Sequence, residues 1–229
     1  MSHYKYLNLL SSVILVGGIS AVAAESAKPF SNFYVGVGTG YSIFNGRSVS
    51  GVSDVNYNSS MKKQLHSQGF LGKVFGGYEA LSSSSIYGAA EGYFLFDPQK
   101  STYENKVEGT EVDQEKFSRQ IAFGIRGKLG ASLNETVIAY GILGAEKSRF
   151  TFDSKSNGQK KTQKKYLWAV VPGAGMSVSL SGKTKLTIEY TYARYQVFSS
   201  QLVNGYGVNC SNKVRPSINT LSVGIVWSL

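Results

Sequence analysis

Residues 33–44, FYVGVGTGYSIF, set Phe33, Val35, Val37, Thr39, Tyr41 and Ile43 against Tyr34, Gly36, Gly38, Gly40 and Ser42. A period of two sustained over the whole stretch describes a β-strand, with one apolar face and one face almost free of side chains. The glycines do not form a dinucleotide-binding loop. That loop needs G-x-G-x-x-G between a strand and a helix, but Tyr41 holds the third glycine position and no helical period follows.

The same alternation recurs down the chain. Phe70, Gly72, Val74, Gly76, Tyr78 and Ala80 oppose Leu71, Lys73, Phe75, Gly77 and Glu79; Ile86, Gly88, Ala90, Gly92, Phe94 and Phe96 oppose Tyr87, Ala89, Glu91, Tyr93 and Leu95. Phe117, Ile121, Phe123, Ile125 and Leu129 oppose Ser118, Gln120, Ala122, Gly124, Arg126 and Lys128. The stretch TVIAYGILGAEKSRFTF is a strand whose two faces look alike, and YLWAVVPGAGMSVSL, KLTIEYTYARYQVF and the terminal NTLSVGIVWSL alternate again. Eight strands result. A composition of 26 glycines, four prolines and 13% aromatic residues agrees, because glycine costs about 1 kcal/mol inside a helix.

The connections alternate in length. Polar stretches at 45–67, 97–116, 153–165 and 199–217 are long, whereas LSSSS, GASLNE and SGK are tight turns. Short turns on one side and long loops on the other are the pattern of an outer-membrane barrel. One face of each strand stays apolar while the other mixes glycine, serine and charge, so the apolar face belongs in lipid. The expected fold is an all-β, eight-stranded antiparallel up-and-down transmembrane β-barrel, with short periplasmic turns and four longer extracellular loops.

Lys73, Glu91, Arg126, Lys128 and Glu189 then point inward and must satisfy one another, since an unpaired ion in a low-dielectric interior is costly. An eight-stranded barrel is just wide enough to be filled by side chains, so a polar plug is expected rather than a wide pore. An aspartate at outward Val37 or Val223 is expected to block membrane folding, and one at inward Gly38 to be better tolerated.

GKVFGGYEALSSSSIYGAAEGYF, with its inward Glu91, and VVPGAGMSVSLSGKTKLTIEYTYARY, together with the alternating C-terminal strand, resemble the small OmpA-like or opacity-type outer-membrane barrels of Gram-negative bacteria. The resemblance implies residence in the cell outer membrane, among its lipid and lipopolysaccharide. It also implies a surface role in adhesion, serum resistance or immune exposure, with host surface molecules as partners. By the same resemblance Leu221, Val223, Ile225, Trp227 and Leu229 are the signal read by the barrel-assembly machinery, although the family usually ends in phenylalanine. A small diffusion channel is the alternative.

The N-terminal residues carry Lys5, an apolar run from Leu7 to Ala21 and small residues to Ala24, the order of a cleavable secretory signal. The expected division is a signal at 1–24 and a barrel domain at 25–229. The one cysteine, Cys210, excludes an intrachain disulfide. The net charge of +10 concentrates in one loop, with Lys155, Lys160, Lys161, Lys164 and Lys165, whereas the 97–116 loop is acidic on balance and counts Asp97 among its acids. The basic loop suits anionic groups outside the bilayer, and it lacks the interleaved aromatics of a nucleic-acid surface. An enzyme would need a base beside a nucleophile, and past the leader only His66 could serve, in a serine-rich loop. No catalytic or metal-binding residue is assigned, and no cofactor is implied.

Overall fold

The alternating faces let each strand pair on both edges, and a sheet that pairs on every edge must close. A computed structural model describes residues 29–54, 57–107, 110–156, 159–203 and 209–229, with side chains for 29–46, 66–98, 116, 118–151, 153, 162–197 and 215–229. It contains β1 (Phe30–Asp54), β2 (Tyr57–Leu81), β3 (Ile86–Val107), β4 (Thr110–Ser132), β5 (Val137–Ser156), β6 (Gln159–Ser181), β7 (Thr184–Tyr195), β8 (Phe198–Val203) and β9 (Asn209–Ser228). All pairings are antiparallel, between sequence neighbours from β1 to β7, and β1 closes on β9 from Tyr34↔Ser228 to Ser53↔Asn209. Both β7 and β8 pair with β9. Arg194 faces Ser217 and Phe198 faces Val214, so one extra residue interrupts a single stave at this point. The barrel therefore has eight strands. Closure satisfies the main chain without leaving an edge in lipid.

The long polar connections expected as loops are largely strand. β1 and β2 stay paired to Asp54↔Tyr57, β3 and β4 to Val107↔Thr110, and β5 and β6 to Ser156↔Gln159. Polar composition marks where the wall leaves lipid. It does not mark where the hydrogen-bond ladder stops, because serine and asparagine can pair their backbones as well as valine can. Among the described residues, β2 pairs with β3 only as far as Gly72↔Phe96, and β6 with β7 only as far as Ala169↔Tyr195. Outside the bilayer the sheet thus divides into two blades, β8-β9-β1-β2 and β3-β4-β5-β6.

The outward face carries exposed Val35, Val37, Val74, Ile125, Leu143, Val170, Val223 and Ile225, a surface that water would not tolerate but lipid requires. Aromatic pairs stand at both ends. Phe33 meets Tyr78 with ring centroids 5.1 Å apart near the short turns, and Tyr41 meets Phe70 at 5.5 Å on the long-hairpin side. The eight residue steps from Phe33 to Tyr41 span about 27 Å of strand before tilt, which matches an apolar band of roughly 25 Å.

The inward glycines make room for rings. Gly36 is registered against Phe75, Gly124 against Tyr93 and Gly175 against Tyr140. A Cβ at these positions would lie 2.4, 2.7 and 2.8 Å from the facing ring. Gly38 answers to backbone instead, since its Cβ would lie 2.7 Å from the carbonyl oxygen of Val223. A side chain at Gly38 therefore carries a cost of its own, because β1 and β9 must shift apart there to admit a Cβ.

Candidate functional site

Strands β2, β3, β4 and β7 bring Lys73, Glu91, Arg126, Lys128 and Glu189 into one buried cluster. Arg126 Nε donates to Glu91 Oε1 at 2.7 Å, and Arg126 Nη2 donates to Glu189 Oε2 at 2.7 Å. Lys128 Nζ lies 2.6 Å from Glu91 Oε2 and 2.9 Å from Glu189 Oε1. Lys73 Nζ donates to Glu189 Oε2 at 2.8 Å. Tyr34 and Tyr140 add hydroxyl donors, to Glu91 at 2.8 Å and to Glu189 at 3.1 Å. Each carboxylate thus accepts from several donors, the condition under which buried ions offset the loss of water.

Sequence reading missed a second cluster toward the long hairpins. Arg119 Nη1 donates to Asp97 Oδ2 at 2.7 Å, Nη2 to Glu146 Oε1 at 2.8 Å and Nε to Ser148 Oγ at 3.1 Å. Ser42 donates to Asp97, while Tyr93 and Tyr195 donate to Glu146. Three local features hid it. Asp97, placed with the acidic loop, is fully buried in the barrel. A bulge pairs Arg119 with Phe150 and Ile121 with Arg149, skipping Gln120, so Arg119 turns inward and Gln120, expected inside, is exposed. On β5, Glu146 belongs to the face of Ile138, Tyr140 and Ile142, whose apolarity disguised the interior. The only signal available was the Asp97-Pro98 step, since proline in a strand marks a bulge or an edge.

A third pair, Glu79 with Lys185, lies toward the short turns, where Tyr87 donates to Glu79 Oε2 at 3.1 Å and Lys185 Nζ stands 4.3 Å over the Phe30 ring. Among the described residues five buried carboxylates thus face five buried cations. The middle cluster carries one cation in excess and the upper cluster one carboxylate in excess. Between them lies a void of about 20 Å³ bordered by Lys73, Arg119, Arg126 and Glu146. That is room for one water, with polar groups to hold it. An apolar layer of Phe44, Phe150, Leu167 and Ile218 closes the lumen above.

The basic hairpin is spread by its strand pairing. Lys155 is registered with Lys160, Ser154 with Lys161, Thr151 with Lys164 and Phe150 with Lys165. The side chains of Lys155, Lys160 and Lys161 lie outside the described residues; Lys164 and Lys165 are exposed on successive, hence opposite, faces of β6. His66 is exposed on β2, its Nδ1 3.0 Å from Asn45 Oδ1. Among the described residues no three histidine, cysteine or carboxylate side chains are placed to hold a metal. Leu221, Val223, Ile225, Trp227 and Leu229 form one exposed outward row at the C-terminus. The cysteine side chain and residues 1–28 lie outside the described residues.

A lipid-facing apolar wall around a paired ionic lumen meets the family comparison directly: residues 11–228 match the outer membrane protein beta-barrel domain. The chain belongs to that family. Its place is the outer membrane. No curated protein matches the sequence of this outer membrane beta-barrel. Among solved structures it is similar to Ail, the attachment invasion locus protein of Yersinia pestis, solved with the heparin analogue sucrose octasulfate, at 17% identity over 86% of this chain and 99% of that one, with a TM-score of 0.39. Neisserial surface protein A matches at 16% identity over 87% and 99% of the two chains, TM-score 0.39. OprG from Pseudomonas aeruginosa matches at 11% identity over 90% and 99%, TM-score 0.46.

Proposed function

We propose that this outer-membrane barrel is a surface-interaction protein, of adhesion or resistance type, whose lumen is a structural plug and whose extracellular hairpins bind anionic molecules. The observation that carries the reading is the lumen itself. Its ions are paired within three clusters among the described residues, the void of about 20 Å³ between the two main clusters has room for no more than a single water, and an apolar layer lies across the long-hairpin end. A barrel with such an interior offers its partners only its outside. There the strands continue as paired hairpins with exposed Lys164 and Lys165, and with Lys155, Lys160 and Lys161 in the same hairpin. In this reading residues 1–24 export the chain, 25–229 form the barrel, and the Leu221 to Leu229 row is recognised by the barrel-assembly machinery. No catalytic step is assigned.

The test has two arms. Refolded protein in a planar bilayer is expected to show no unitary conductance, and a soluble sulfated glycan is expected to bind it and to lose affinity when the five hairpin lysines become glutamine. A reproducible conductance step that disappears on neutralising Arg126 and Glu189 would instead establish the small diffusion channel.

A further inference from the structure

Lys147 and Arg149 stand on the outward face of β5 where the wall leaves the hydrocarbon. Their register partners on β6 are Trp168 and Tyr166, and Lys164 follows opposite Thr151. Lys147 Nζ lies 5.4 Å from the ring centroids of both Tyr166 and Trp168. Rings of this kind gather at the headgroup level, so the three cations stand at the outer interface. Among the described residues no carboxylate forms an ion pair with Lys147, Arg149 or Lys164, in contrast to the fully paired lumen.

Directly membrane-ward the wall is hollowed. Phe94, Phe123 and Lys147 share one register row; the next two rows are Gly92, Ile125, Ala145 and Ala90, Gly127, Leu143. These six residues, with Glu91, Arg126 and Gly144 of the same three strands, line an open, mostly apolar groove of about 600 Å³. A Cβ at Gly92 would meet nothing within 4 Å, so the hollow lies on the lipid side of the wall and is not packing space.

We propose that β3–β6 bind one phosphorylated, multiply acylated glycolipid of the outer leaflet, with Lys147, Arg149 and Lys164 holding its phosphates and the groove below holding an acyl chain. Charge complementarity identifies the occupant. Three uncompensated cations at the headgroup level call for more than one negative charge, and arginine with lysine is a suitable pair for phosphate oxygens. An acyl chain attached to that headgroup descends from the cations into the groove, since both lie on the same strands. The site shares Lys164 with the hairpin surface proposed above but is otherwise separate from it.

The experiment uses the full chain refolded in neutral detergent, with Trp227→Phe so that Trp168 is the only tryptophan reporting. Diphosphorylated lipid A is expected to change its fluorescence saturably, and dephosphorylated lipid A to bind at least about tenfold more weakly. Lys147→Gln with Arg149→Gln is expected to weaken lipid A to a similar degree. Gly127→Leu, which fills the groove at a position where an added Cβ makes only ordinary contacts, 3.9 Å and 4.0 Å from the Leu143 and Ala89 carbonyl oxygens, is expected to weaken it too, and Lys183→Gln at the opposite end to change nothing. Unchanged lipid A affinity in the charge variant, equal binding of the dephosphorylated lipid, or an equal loss in Lys183→Gln would overturn the proposal. Binding of a soluble sulfated glycan is read in parallel. Its failure bears on the hairpin surface, and loss of lipid A binding with glycan binding intact bears on this site.

Discussion

The guanidinium of Arg119 reaches Asp97 at 2.7 Å on one side and Glu146 at 2.8 Å on the other, and all three side chains are buried. One cation thus compensates two carboxylates from neighbouring strands. Arg119→Met leaves both without a counter-ion and is expected to cost about 3–5 kcal/mol, read as the shift in urea unfolding of the barrel in lipid vesicles. Arg119→Lys should recover only part of this, because an ammonium lacks the fork that serves both acids at once. Native stability in Arg119→Met would show that the upper cluster contributes nothing.

Glu79 and Lys185 form a pair separate from the larger clusters, which suits a double-mutant cycle. Each single change, Glu79→Leu or Lys185→Leu, strands one buried charge. The double variant removes both and is expected to unfold nearer the native denaturant midpoint than either single variant does. Additive losses would mean the two side chains do not act on each other.

Val37 and Val223 face lipid between the two aromatic ends. Val37→Arg or Val223→Arg is expected to destabilise the folded barrel by about 2–4 kcal/mol, and arginine at exposed Asn45, beyond the Tyr41–Phe70 pair, by about 0–1 kcal/mol. Equal costs at the three sites, measured by reversible unfolding in vesicles, would contradict the placement of the bilayer.

Two glycines separate close approach from open surface. Gly38→Ala drives a Cβ to 2.7 Å from the Val223 carbonyl oxygen and is expected to cost about 1–3 kcal/mol. At Gly92 the added Cβ meets open space. Gly92→Ala is therefore expected to be neutral or to stabilise by up to about 1 kcal/mol, through reduced freedom of the unfolded chain. Unfolding midpoints that rank the two in the opposite order would refute the β1–β9 contact.

The strand alternation already contained the barrel, the number of its staves and the inward direction of Lys73, Glu91, Arg126, Lys128 and Glu189, because a strand's side-chain period is a local property that needs no partner to be read. Which cation meets which carboxylate was not local. Lys73 and Glu189 are 116 residues apart and come to 2.8 Å only through closure of the sheet. Arg119 and Gln120 exchanged faces because a bulge, a property of two strands together, advanced the phase. Asp97 and Glu146 looked like a loop acid and a featureless strand residue until register placed both beside that arginine. The hairpins were misread as loops for the same reason, since backbone pairing beyond the bilayer leaves no mark in side-chain polarity. Composition and period thus determined the wall and its two faces, and register decided the chemistry inside and outside it, because electrostatic pairing depends on distances that exist only once the sheet has closed.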